Sequence, residues 1–188
     1  AAYSSVKNFF GKKFFILFVN SLMGLPPVFV GLALYIIFSK SGPLGFFEIL
    51  YTPTIMVLAQ MILILPIIIS IGFETLESIY FEYKEMLKSL QVSLRDAIFI
   101  ILWDARYSLL TTVLAGLGRA MSEVGAIIIV GGNIDHLTRV MTTAIALETS
   151  KGELSLAMAL GIILLTISLS VNIFVNYVKS YGKFKSYV

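Results

Sequence analysis

The 188-residue chain is 58% hydrophobic and only 13% charged, with a mean hydropathy of +0.93; soluble domains carry about 25% charged residues, so this is an integral membrane protein. Its net charge of +3 is too small to point to nucleic acid, and without cysteine the chain has no disulfide, thiol catalysis or zinc–thiolate site. One histidine, His136, cannot form a multi-histidine metal centre.

The chain opens Ala1-Ala2-Tyr3 without the charged region, short apolar run and cleavage site of a signal peptide. A truncated or processed start is expected. Four stretches have the length and apolarity to span a bilayer: about 14–38, 49–73, 107–130 and 154–178. The expected architecture is therefore all-α, a polytopic membrane helix bundle of about four spans forming a single domain over 1–188.

The first span contains Asn20, Gly24, Pro26, Pro27 and Gly31, and the second Pro53, Gln60 and Pro66. Mid-helix proline frees a carbonyl and kinks the helix, which membrane proteins tolerate where neighbours or water satisfy the backbone. Packing explains any one of these residues equally well. Three polar-interrupted spans out of four favour a bundle that moves or lines a path.

Residues 74–106 form the longest stretch between spans. Glu77, Glu82, Lys84, Glu85, Lys88, Arg95 and Asp96 alternate there with Leu76, Ile79, Phe81, Met86, Leu87 and Leu90. That is the pattern of an amphipathic helix lying on a surface or in a groove. Lipid-bound interfacial helices carry a basic polar face, whereas this face is mixed, which favours a protein partner. The apolar run Ala97–Trp103 is seven residues long and reads as an interfacial or partner-facing face rather than a span.

The third span carries Arg119 and Glu123. A charge at the centre of a spanning helix costs about 2.5–3.5 kcal/mol on insertion scales, so two of them need a reason. At i and i+4 they are expected on one helix face. The cation precedes the acid, the less favourable order for local helix stability. The pair is read either as a lock between helices or as a charged constriction on a solute path. Gly116, Gly118 and Gly125 flank it and suit close helix approach.

Gly131-Gly132-Asn133 ends that span, and 138–149 reads as a short helix at the outer face. The glycines form no phosphate loop, since no Walker lysine or Gly-x-Gly-x-x-Gly pattern accompanies them. No Gly-x-Ser-x-Gly or His-Glu-x-x-His occurs either, which disfavours a membrane-embedded enzyme. With both ends cytoplasmic, the inner side carries Lys7, Lys12, Lys13, Lys84, Lys88, Arg95, Arg106, Lys179, Lys183 and Lys185. The outer side keeps Lys40, Arg139 and Lys151. Ten against three sets the orientation by the positive-inside rule.

Several segments resemble the membrane subunit of type I, binding-protein-dependent ABC importers. That family's cytoplasmic loop reads Glu-Ala-Ala, three residues, Gly, nine residues, Ile-x-Leu-Pro. Here Glu85-Met86-Leu87 match the first element, Gln91 stands at the glycine, Ile101 at the isoleucine, and Trp103-Asp104 at Leu-Pro. More specifically, Gly-Arg-Ala-x-x-Glu-Val-Gly-Ala (118–126), Val-Gly-Gly-Asn-Ile (130–134) and Thr-Thr-Ala-Ile-Ala-Leu-Glu-Thr (142–149) resemble its oxyanion branch. So do Leu-Met-Gly-Leu-Pro-Pro-Val (22–28) and Ser-Gly-Pro-Leu-Gly (41–45). The set is most similar to tungstate permeases, with molybdate and sulfate relatives close behind.

The resemblance implies a homodimeric pore, a dimer of ABC ATPase subunits holding ATP and magnesium, and an extracytoplasmic oxyanion-binding protein. This chain itself would hold no cofactor and catalyse nothing. Residues 85–104 would be the coupling helix, 39–48 and 133–153 would face the binding protein, and Arg119, Glu123, Gly118 and Gly125 would border the path. Residues 1–15 resemble the tail of an earlier span with its link, so at least one further N-terminal helix is expected. The reading from another class is an ion-coupled secondary transporter using Arg119 and Glu123 as a relay; such proteins commonly show internal repeats, and none is visible here.

Overall fold

The computed structural model describes residues 11–185; the N-terminal link expected at 1–15 falls mostly outside them. The described chain is helical throughout. In order it forms α1 (Lys12–Met23), α2 (Pro27–Phe38), a 3-10 turn (Gly45–Phe47), α3 (Pro53–Ser89), α4 (Leu94–Ser122), α5 (Gly125–Gly131), α6 (Met141–Lys151) and α7 (Leu154–Lys185). Three of these, α3, α4 and α7, are long and apolar enough to cross a membrane, and α1 with α2 form a further, broken stretch of that character.

The break falls at the prolines expected to kink the first span. Proline disfavours the α conformation in the residue before it. Leu25 precedes Pro26, and Pro26 precedes Pro27, so two consecutive residues are driven out of the helix. Pro26 is extended (φ −65°, ψ 124°), and Pro27 then opens α2 at the first helical position, where its missing N–H costs nothing.

The helices group into two compact units. The first comprises Pro66–Gly116 together with the chain up to Met23 and from Ile173. Its centre is an antiparallel hairpin in which Leu76 and Leu87 of α3 pack on Ala97, Ile101 and Ala105 of α4. Ile101 and Ala105 are almost wholly buried, and filling such a core with an aliphatic side chain contributes about 1.5–3 kcal/mol. Around the hairpin, the Ser70 hydroxyl donates to Asn20 Oδ1 of α1 at 2.6 Å, and Lys12 pairs with Glu77 at 3.0 Å.

Residues 74–106, expected as an amphipathic helix on a surface or in a groove, are instead the end of α3, a turn and the start of α4. Half of the apolar stripe finds its complement inside the same segment, while Phe81, Met86 and Leu90 stay exposed. Ala97–Trp103 is the first part of the 29-residue α4, not a separate interfacial helix.

The turn at 90–93 is capped on both sides. Val92 N–H donates to Leu87 O and Gln91 N–H to Lys88 O, both at 3.1 Å. These are the two bonds of a Schellman ending, with Val92 packed on the hairpin core. Ser93 Oγ accepts Asp96 N–H at 3.3 Å and donates to the Asp96 carboxylate at 2.6 Å, a capping arrangement that starts α4.

Gln91 takes the left-handed conformation the ending demands (φ 49°), which costs an L-residue about 1–2 kcal/mol and glycine almost nothing. Gln91→Gly is therefore expected to stabilise the protein by about 1 kcal/mol, measured as a raised Tm in detergent. An unchanged or lowered Tm would contradict the assignment of the turn.

The second unit is Gly24–Leu65 with Leu117–Asn172. Val30, Leu34 and Phe38 of α2, Ile55, Met56, Ala59 and Leu63 of α3, and Ala126, Ile127 and Val130 of α5 make one core. Gly31 lets α2 and α5 meet backbone to backbone: a Cβ there would lie 2.8 Å from Ala126 Cα. Tyr51 N–H donates to Val130 O at 3.0 Å, holding the start of α3 against the end of α5.

Candidate functional site

Arg119 sits in the last turn of α4, but the helix stops at Ser122, so Glu123 does not share a continuous helix face with it. Val124 leaves helical geometry (φ −123°, ψ −49°), and α5 starts at Gly125. The expected 107–130 span is thus interrupted at its charged residue.

The interruption explains how Glu123 is tolerated. Its side chain is 5% exposed. One carboxylate oxygen accepts the Ala126 N–H at 3.1 Å, satisfying an amide that the start of α5 leaves without an intrahelical partner. The other oxygen lies 3.8 Å from Arg119 Nη2, an ion pair too long for a direct hydrogen bond. The Glu123 carbonyl, freed by the end of α4, accepts the Thr142 hydroxyl of α6 at 3.2 Å. Broken helices persist at membrane depth where such groups are satisfied by protein.

Arg119 is different. A third of its side chain is exposed, although its guanidinium is paired with Glu123. The two flanking glycines also part ways. A Cβ on Gly125 would meet Val28 Cγ2 at 2.8 Å, whereas one on Gly118 would meet nothing within 4 Å. Gly125 serves contact inside the chain; Gly118 faces open space.

A cleft of about 350 Å³ opens beside the break. Its walls include Met56, Met121, Met141 and Leu164, with Gln60 and Thr142 as polar members. No cationic side chain lines it. A tetrahedral dianion placed there would trade its hydration against two neutral side chains, an unfavourable exchange. Among the described residues no cluster of three His, Asp or Glu side chains could hold a metal.

The residues matched to the coupling motif lie on the α3–α4 hairpin, and the fold separates them. Glu85 and Met86 are near its tip, with Met86 exposed, and Gln91 is in the turn. Leu87 and Ile101 are inside the hairpin core. Asp104 accepts the Tyr83 hydroxyl at 3.0 Å and so ties the two helices together. Trp103 is exposed, stacked on Phe99 and on Arg106. The Tyr83–Asp104 tie and the Lys12–Glu77 pair have no local sequence signal, because their partners are 21 and 65 residues apart. The Ser93–Asp96 cap is a local signal that the short apolar run at 97–103 obscured.

The chain matches no protein-family model. It is 40% identical over 171 residues to a probable anion ABC transporter permease protein of Haloferax volcanii, covering 88% of this chain and 74% of that one. It is 39% identical over 170 residues to the tungstate uptake system permease protein TupB of Peptoclostridium acidaminophilum, covering 90% and 75%. The sulfate transport system permease protein CysT of Synechocystis is more distant, 24% identical over 187 residues and covering 94% and 64%.

Proposed function

The chain belongs to the anion ABC transporter permeases, and from that premise we propose that it forms the membrane path of an ATP-driven tungstate importer. The observation that carries the choice of anion is the gradient of likeness: 39% identity to a tungstate permease over nine-tenths of the chain, against 24% to a sulfate permease. It is a pore-forming subunit, and the ATP and magnesium are bound by a separate ATPase dimer.

In this reading both chain ends are cytoplasmic, the orientation that the ten-against-three distribution of Lys and Arg favours. The hairpin turn is the handle that an ATPase subunit grips. Its tip presents Glu85, Met86 and Leu90 outward, and Gln91 holds a backbone conformation that suits the glycine of the family motif. A rigid, doubly capped hairpin transmits nucleotide-driven closure better than a lipid anchor. A second copy of the chain completes the pore, with the open face at Gly118 and the largely exposed α7 available to it. On the outer side, 39–48 and 133–153 receive an oxyanion-binding protein. Arg119 lends positive potential to the passing dianion, and Glu123 keeps that potential from becoming a trap.

Uptake of tungstate by the assembled transporter, in cells lacking other oxyanion importers, tests the reading. Uptake is expected to require ATP, and molybdate or sulfate at equal concentration should compete poorly. Equal uptake of sulfate would move the assignment to a sulfate or molybdate permease. Uptake that persists without ATP under an intact ion gradient would replace it with an ion-coupled secondary transporter.

A further inference from the structure

The 37-residue α3 is about 55 Å long at 1.5 Å per residue, far more than the ~30 Å hydrocarbon core. Its charge-free part, residues 53–73, accounts for about 31 Å, one bilayer core. The charged residues begin at Glu74 and Glu77.

Within the first unit the partners of α3 change character at the same level. A Cβ on Gly72 would be in ordinary contact with Thr112 and Leu109 of α4, and Tyr83 reaches Asp104. This antiparallel register sets Glu77 level with Arg106. Lys12 joins Glu77 from α1, with its ammonium 5.2 Å from the Phe73 ring centroid. From α7, Lys179 Nζ donates to Thr111 Oγ1 at 2.8 Å. Lys12, Glu77 and Arg106 of α1, α3 and α4 thus lie in one layer, with the Lys179–Thr111 contact about 7 Å, five residues of α4, toward the apolar side.

On α4 that layer holds an exposed aromatic–arginine cluster. The Arg106 guanidinium lies 4.5 Å from the ring centroids of both Trp103 and Tyr107 and donates to the Trp103 carbonyl. Trp103 is 62% exposed and stacks on the 67% exposed Phe99. Fully watered, these rings would be an unsheltered apolar patch; at mid-bilayer the guanidinium would be stranded. Tryptophan and tyrosine favour the boundary between the two, where a ring sits among acyl chains and its polar edge among headgroups. Two rings hold the guanidinium, and at that boundary a lipid phosphate would supply its counter-charge.

We propose that Trp103, Arg106 and Tyr107 form a phospholipid headgroup contact that marks the plane where the α3–α4 hairpin leaves the bilayer. From Glu77 to the turn at Leu90 the hairpin then stands about 20 Å into water. Trp103, which the motif resemblance would set against an ATPase, faces lipid instead, and only the tip is left for that partner. The placement holds whichever anion is carried.

Depth-dependent quenching of Trp103 tests this in nanodiscs of phosphatidylglycerol and phosphatidylcholine carrying nitroxide labels either near the headgroup or at mid-chain. Trp103→Phe supplies the blank, so the difference signal is that of Trp103 even with partner subunits present. The shallow label is expected to quench at least about twofold more than the deep one, and adding the ATPase should leave that quenching unchanged. Stronger deep quenching, no lipid quenching, or quenching abolished by the ATPase would each overturn the proposal. The chain has no cysteine, so single-cysteine variants give an independent readout. Without ATPase, a membrane-impermeant maleimide should label Met86→Cys and spare Val113→Cys, both exposed on the protein surface; the reverse pattern would overturn it too.

Discussion

Gly31→Val is expected to keep the permease from accumulating in the membrane. A Cβ at this position would sit 2.8 Å from Ala126 Cα and 3.1 Å from Ala126 O. Both are backbone atoms, which cannot turn aside as a side-chain tip would. Small residues at helix contacts let backbones approach in membranes, where packing rather than water exclusion drives association. To admit valine, α2 and α5 must separate and open the core formed by Val30, Leu34, Ile55, Ala59, Ile127 and Val130. Ordinary overpacking costs about 1–3 kcal/mol; a clash with backbone on both helices belongs at or above the top of that range. Yield of monodisperse protein after detergent extraction measures the effect. Gly72→Ala is the control, since a Cβ there would make only ordinary contacts inside the chain, with Thr112 at 3.7 Å and Leu109 at 3.9 Å, and it should accumulate normally. Equal yields for the two variants would remove the α2–α5 contact from the account.

What the sequence made legible follows from the range of the interactions involved. The spanning stretches were readable because apolar length is a local property. The break at Pro26-Pro27 was carried by two adjacent residues, and the cap at Ser93 by a pair three residues apart. The break at Glu123 has no such signal. Ala120, Met121 and Ser122 are compatible with helix, and what ends α4 there is distant: Thr142 bonding the Glu123 carbonyl, Val28 against Gly125, and Gly31 against Ala126. The hairpin lacks a local signal for the same reason. Its apolar stripe is visible in the sequence, but that Leu76 and Leu87 pack on Ile101 rather than on a partner depends on the chain reversing at Gln91. Family motifs located the candidate residues; only the fold divides them into buried supports, such as Leu87 and Ile101, and exposed tips, such as Met86.

The most discriminating variants are Glu123→Ala and Glu123→Gln, because the carboxylate performs two separable tasks. Alanine removes the acceptor for the Ala126 N–H, leaving a buried donor unsatisfied at a cost of about 1–3 kcal/mol. It also strips Arg119 of its partner. Folded protein should fall and thermal unfolding should come earlier. Glutamine keeps an oxygen that can accept the same N–H, so extraction yield and Tm are expected to stay close to those of the parent. What glutamine removes is the negative charge 3.8 Å from Arg119. If Arg119 lends its potential to a passing dianion, that potential is then uncompensated and the ion is held longer. Tungstate uptake should show a lower KM together with a lower maximal rate, while Arg119→Gln should slow uptake with assembly intact. Parental uptake by both glutamine variants, at normal assembly, would confine the pair to holding α4, α5 and α6 together. A cap needs only an oxygen at that position, whereas a path that handles a dianion needs the charge.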